Sequence, residues 1–81
     1  MYYCMTKFSF DPDKNVHGPF ATQEEAWQFM EMEADREAKI DIDENGWSTE
    51  IVKNKDCGEI TITNFFATGT DVTEFFLFEI T

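Results

Sequence analysis

Positive charge is scarce in this chain: six Lys and Arg face seventeen Asp and Glu, a formal net charge of −11 over 81 residues. That balance opposes binding to nucleic acid or to an anionic membrane through phosphates, and neither partner is expected. Cysteine is scarce as well. Cys4 and Cys57 lack CxxC spacing and the density of a disulfide framework, so a reducing compartment and idle thiols are expected. The single imidazole, His17, stands beside Gly18 and Pro19 and reads as an exposed loop residue; one His and two distant Cys make no zinc site. No phosphate-cradling glycine loop and no nucleophile elbow occurs, so neither catalysis nor a cofactor is expected. Runs such as Phe75-Phe76-Leu77-Phe78 fall far short of the roughly 20 residues that span a bilayer, and no basic segment precedes a long apolar stretch near Met1. A soluble, cytoplasmic protein is expected.

What the chain does have is rings and acids. Nine Phe, two Trp and two Tyr predict an aromatic core, and each buried ring can hide roughly 150–250 Å². At this length there is room for one domain, 1–81, with one modest core. Met1 to Phe10 alternates as a strand, with Tyr2, Cys4, Thr6, Phe8 and Phe10 on one face. Asp11 to Asn15, with Pro12, has turn chemistry, and Val16 to Phe20 returns as a short strand. Thr22-Gln23-Glu24-Glu25 is a capping box opening a helix to about Ala38, in which Glu25 should reach back to the cap amide. Trp27, Met30, Ala34 and Ala38 form its apolar stripe, flanked by Ala26 and Phe29. Glu33 and Glu37 break that stripe.

Beyond Ile40 the period shortens to two, and Asn45-Gly46 predicts a type I′ hairpin joining a strand through Ile40 and Ile42 to one through Trp47, Thr49 and Ile51. Strands over Glu59–Phe66 and Val72–Ile80 follow; the last is apolar on both sides, which suits a central position or cover by a second subunit. The expectation is an α+β domain in the order β(β)αββββ, one amphipathic helix on a mostly antiparallel sheet of four to five strands.

Nine of the seventeen acids fall between Glu24 and Glu44, answered there by Arg36 and Lys39 alone. Glu24, Glu31 and Asp35 share the polar side of the helix, and Asp41, Asp43 and Glu50 on the hairpin extend it. Together they predict a surface for a basic protein, in the manner of a nucleic-acid mimic; a solvated face serving solubility alone is the competing reading. The hairpin also sets Asp41 opposite Glu50, a like-charge pair that a cation or a basic partner would relieve, although at an exposed site salt screening alone makes it tolerable. Asp41-x-Asp43-x-Asn45-Gly46 resembles the opening of an EF-hand calcium loop, although the twelfth position is Val52 rather than Glu. That resemblance implies a weak divalent-cation site at Asp41, Asp43, Asn45 and Glu50. Gly18-Pro19-Phe20-Ala21-Thr22-x-x-Glu25-Ala26 is similar to a strand-to-helix element of small bacterial and phage-type proteins, which implies a prokaryotic or mobile-element source. A single helix cannot cover every strand, so some of Phe65, Phe66, Phe75, Phe76 and Phe78 should remain on an open face able to form a homodimer.

Overall fold

A computed structural model describes residues 1–9 and 11–81, with the backbone alone for 11–13. Strands β1 (Tyr2–Phe8) and β2 (Asp11–Phe20) precede helix α1 (Gln23–Lys39) and a π-helical turn (Ile40–Glu44). Strands β3 (Ser48–Asn54), β4 (Glu59–Phe66) and β5 (Gly69–Glu79) complete the chain. Every strand pairing is antiparallel, in the order β2-β1-β5-β4-β3, so the doubly apolar last strand occupies the centre. Among the described residues no helix is long and apolar enough to cross a membrane.

The α+β class and the single helix are as expected, and the strand count is five. Two segments differ. The expected turn over Asp11–Asn15 belongs to β2, a ten-residue strand. Pro12 is tolerated there because β2 is an edge strand, whose outer side needs no ladder donor. The expected strand through Ile40 and Ile42 is absent, because the helix continues past Lys39 into the π turn. Phe10, expected on the inner face of β1, lies outside the described residues.

Helix α1 starts where the capping residues place it. Thr22 Oγ1 accepts the Glu25 N–H at 3.1 Å, while Glu25 Oε2 accepts the N–H of Ala21, one residue ahead of the cap. Its buried stripe is Ala26, Trp27, Met30, Ala34 and Ala38. The stripe rests on Cys4 of β1, Ile60 and Ile62 of β4 and Phe75 of β5, with Phe20, Phe29 and Leu77 at the margin. Met30, Ile60 and Ile62 are wholly enclosed, and such side chains each contribute about 1.5–3 kcal/mol on burial. His17 is no loop bystander: it lies in β2, half-buried, its ring 5.1 Å from that of Phe29.

Along β3 the residues facing the helix are Thr49, Ile51 and Lys53, opposite Asn64, Ile62 and Ile60. This edge is exposed, and lysines close it against the helix. Lys53 Nζ lies 3.1 Å from Glu31 and 3.0 Å from Asp35, and Lys55, just beyond the strand, lies 2.9 Å from Glu24.

Candidate functional site

The six acids expected to make one docking surface do not share a face. Glu24, Glu31 and Asp35 do line one side of α1, but each is engaged by Lys53 or Lys55. Asp43 is exposed on the π turn. Glu50 pairs in register with Thr63, whereas its neighbours Thr49 and Ile51 pair with Asn64 and Ile62 of the helix-covered side; Glu50 therefore points to the opposite face of the sheet. Asp41 is only 4% exposed. The Asp41–Glu50 cross-strand pair accordingly does not exist. The calcium-loop resemblance also loses its geometry, since Asp41, Asp43 and Asn45 stand on one helical turn with Glu50 on a separate strand. Among the described residues no three Asp, Glu, His or Cys side chains are grouped to hold a metal ion.

The π turn explains why Asp41 goes inward. Asn45 N–H donates to the Ile40 carbonyl at 3.2 Å, five residues back, and Trp47 N–H donates to the Asp41 carbonyl at 2.9 Å. Gly46, at φ +67°, takes the left-handed conformation that ends a helix. Asn45, at φ −94°, does not, so the pair is a helix stop rather than a type I′ turn. Because the chain stays helical past Lys39, Trp27, Met30, Ala34, Ala38 and Asp41 follow one another at steps of three or four, and Asp41 closes the buried stripe. Ile40 and Ile42 are left partly exposed.

Beneath Asp41 the inward phase of the sheet turns polar. Thr49, Asn64 and Asp71 stand side by side across β3, β4 and β5. Asn64 Nδ2 donates to Asp41 Oδ2 at 3.0 Å, and Thr49 Oγ1 donates to Asn64 Oδ1 at 2.7 Å. A charge-assisted bond of this kind holds a buried carboxylate that would otherwise be costly.

Asp41 and Asn64 of this network line a cleft of about 330 Å³, whose walls include Glu37 from α1, Asn45 and Trp47 after the helix, and Asp71 and Thr73 from β5. Trp47 packs edge-on against Phe66 at 5.0 Å and stays partly exposed. Burial raises the Glu37 carboxyl above its ordinary 4.5; Asp41 and Glu33 push the same way and Arg36 opposes them. Thr73 is 4% exposed and its hydroxyl has no hydrogen-bond partner among the described residues. Since no side-chain oxygen there is both sealed and unpaired, that hydroxyl opens onto the cleft.

Three carboxylates thus line a hollow to which, among the described residues, no Lys or Arg contributes. The arrangement suits a cationic hydrogen-bond donor, with the Trp47 ring as a π face. A larger hollow, of about 560 Å³, lies beside Thr22, Trp27 and Leu77, but its Glu24 and Lys55 already neutralise each other. Of the cleft residues, Asp41 and Asn45 were legible as candidates, each for the wrong geometry. Glu37, Asn64, Asp71 and Thr73 were missed. The available signal was the polar break in the inward phase of β4 and β5, where Ile60 and Ile62 give way to Asn64, and Leu77 and Phe75 to Thr73 and Asp71.

Cysteine chemistry has no part in this site. Cys4 is buried and its thiol is pushed up to about 11 by burial, with Glu33 adding to the shift, while Cys57 sits exposed in the β3–β4 turn. Comparison of the chain with protein-family models, with curated proteins and with solved structures gives no match.

Proposed function

We propose that this protein is a non-enzymatic interaction module that takes an Arg or Lys side chain of a basic partner protein into the cleft between the end of α1 and strands β4 and β5. One contrast carries the reading: Glu24, Glu31 and Asp35 are satisfied by the protein's own lysines, whereas Glu37, Asp41 and Asp71 line a cleft that, among the described residues, has no Lys or Arg. The basic-surface role suggested by composition is thereby kept, but moved from the helix side to the helix end. The Thr73 hydroxyl and the Trp47 ring supply an acceptor and a π face beside the carboxylates.

The test is titration of an arginine-rich peptide, with a peptide of equal length carrying citrulline in place of arginine as control. Binding is read from Trp47 emission in a Trp27→Phe background. Asp71→Asn should weaken binding about 10- to 100-fold, the loss of one charged hydrogen bond of about 1.5–3 kcal/mol. Glu24→Gln should leave binding unchanged. Equal binding by the Asp71→Asn protein, or equal binding of the citrulline peptide, would overturn the reading.

A further inference from the structure

The helix covers one side of the sheet and leaves the other side open. On that open side Tyr3, Met5, Phe76 and Phe78 are only half-buried, and Tyr3 stacks on Phe78 with ring centroids 5.7 Å apart. Val16, at 57% exposure, extends this strip beside Met5, while Val52 and Phe65 lie exposed toward the β3 side. So many apolar side chains on one sheet face mark an interface.

The charges on this face differ from those elsewhere. Among the described residues it carries Lys7 and Lys14 against Glu50, Glu59 and Glu74, one net negative charge, in a chain of −11. They are also sorted. Lys14 and Lys7 lie on β2 and β1 at one side, and Glu59 and Glu50 on β4 and β3 at the other. Glu74 stands on central β5 next to Lys7.

We infer that this face binds a second copy of the same chain, sheet against sheet, about a two-fold axis running along β5. That axis lays β2 and β1 of each copy over β3 and β4 of the other, so the Lys7 and Lys14 side of one meets the Glu59 and Glu50 side of its mate. Phe76 packs on its own counterpart. Among the described residues Glu74 is the one like-charge meeting, and a Lys7 flanks it on each copy. A two-fold contact must be self-complementary in this way. Five strands about 4.8 Å apart and roughly 25 Å long give a face of about 600 Å². Two such faces bury about 1,200 Å², the lower limit for a stable pair. The remaining acids sit mostly on the helix side, behind a layer about 10 Å thick, where physiological salt screens them from the other copy.

Sedimentation equilibrium from micromolar to millimolar loading tests the inference. The unaltered chain should dimerise. Lys7→Glu with Lys14→Glu makes the face uniformly acidic, and Glu50→Lys with Glu59→Lys makes it basic at both sides; each variant alone should be monomeric. Mixed in equal amounts, they should form a one-to-one heterodimer. Circular dichroism matching that of the unaltered chain establishes that each is folded, which is expected for exposed positions. A monomer at every loading would overturn the inference and leave the face to an unlike partner. A dimer unaffected by both double variants, or a mixture that stays monomeric, would overturn it as well.

Discussion

At the residue scale, the protein departs most from its sequence pattern where a polar side chain enters the core, and Asp41 shows why. Its alternation with Ile40 and Ile42 matches a strand, and only the competing helical period, counted from Trp27 through Ala38, predicts burial. No local rule chooses between the two periods. Asn64, far along the chain, supports the inward position, since its amide gives the carboxylate a hydrogen bond. Glu37 was legible as a break in the apolar stripe, but not as a cleft residue, because its neighbour Asp41 was assigned to another element. The same burial gives Glu37 a measurable signature. Its folded carboxyl is raised, so the fold holds the proton more tightly than the unfolded chain does. The stability contributed is fully present below the ordinary value of 4.5 and is lost as pH rises through the higher folded value. Glu37→Gln, which keeps a neutral group at all pH, should therefore raise Tm at neutral pH, and the gain should disappear below about pH 4.5. Thermal melts of both proteins across that range check the sign; a gain that persists in acid would place its origin elsewhere than in the Glu37 charge.

At the element scale, legibility follows whether the deciding contacts are local. The start of α1 was readable because Thr22 and Glu25 act within four residues of each other. The phase of β1 was readable because Tyr2, Cys4, Thr6 and Phe8 alternate and Cys4 and Thr6 are buried as that alternation requires. The end of the helix was not readable, because Asn-Gly serves two structures: a type I′ turn, with both residues at positive φ, and a helix stop, with the glycine alone there. The expected Asp11–Asn15 turn failed for a related reason, since Pro and Asp are also tolerated on an edge strand that sheet order alone identifies. The two readings of Asn45-Gly46 predict different mutational costs. In the helix stop, Gly46→Ala should destabilise by about 1–2 kcal/mol from backbone strain alone, since open space surrounds its missing Cβ. Asn45→Ala, at φ −94°, should cost less than about 0.5 kcal/mol. A type I′ turn would penalise both. Urea unfolding of the two variants decides, and a large loss for Asn45→Ala would argue for the hairpin.

At the scale of the whole molecule, charge segregation was legible in part. Composition showed the acidic excess and the impossibility of covering every aromatic with one helix, but not which acids would be neutralised. That depended on Lys53 and Lys55 lying at the β3 edge beneath α1, a tertiary fact. Two opposing electrostatic effects remain, and their balance is measurable. The ion pairs at this edge are partly exposed, and such pairs contribute about 0–1 kcal/mol each, a contribution that salt weakens. Against them stands the repulsion among the excess carboxylates of a chain at −11, held in a body 43 × 23 × 21 Å. At about 0.01 M salt the Debye length is roughly 30 Å, so most of these charges repel one another; at about 0.15 M it falls to roughly 8 Å and only neighbours interact. Screening therefore removes many long-range repulsions while only weakening a few short-range attractions. Tm should rise as sodium chloride is raised from about 0.01 to 0.15 M. Lys53→Met should reduce Tm more at the lower salt, where its pairs with Glu31 and Asp35 are strongest. Calorimetry of both chains at the two salt levels separates the effects: a Tm that falls with salt in the unaltered chain would mean that the lysine pairs, not the excess acids, dominate its electrostatics.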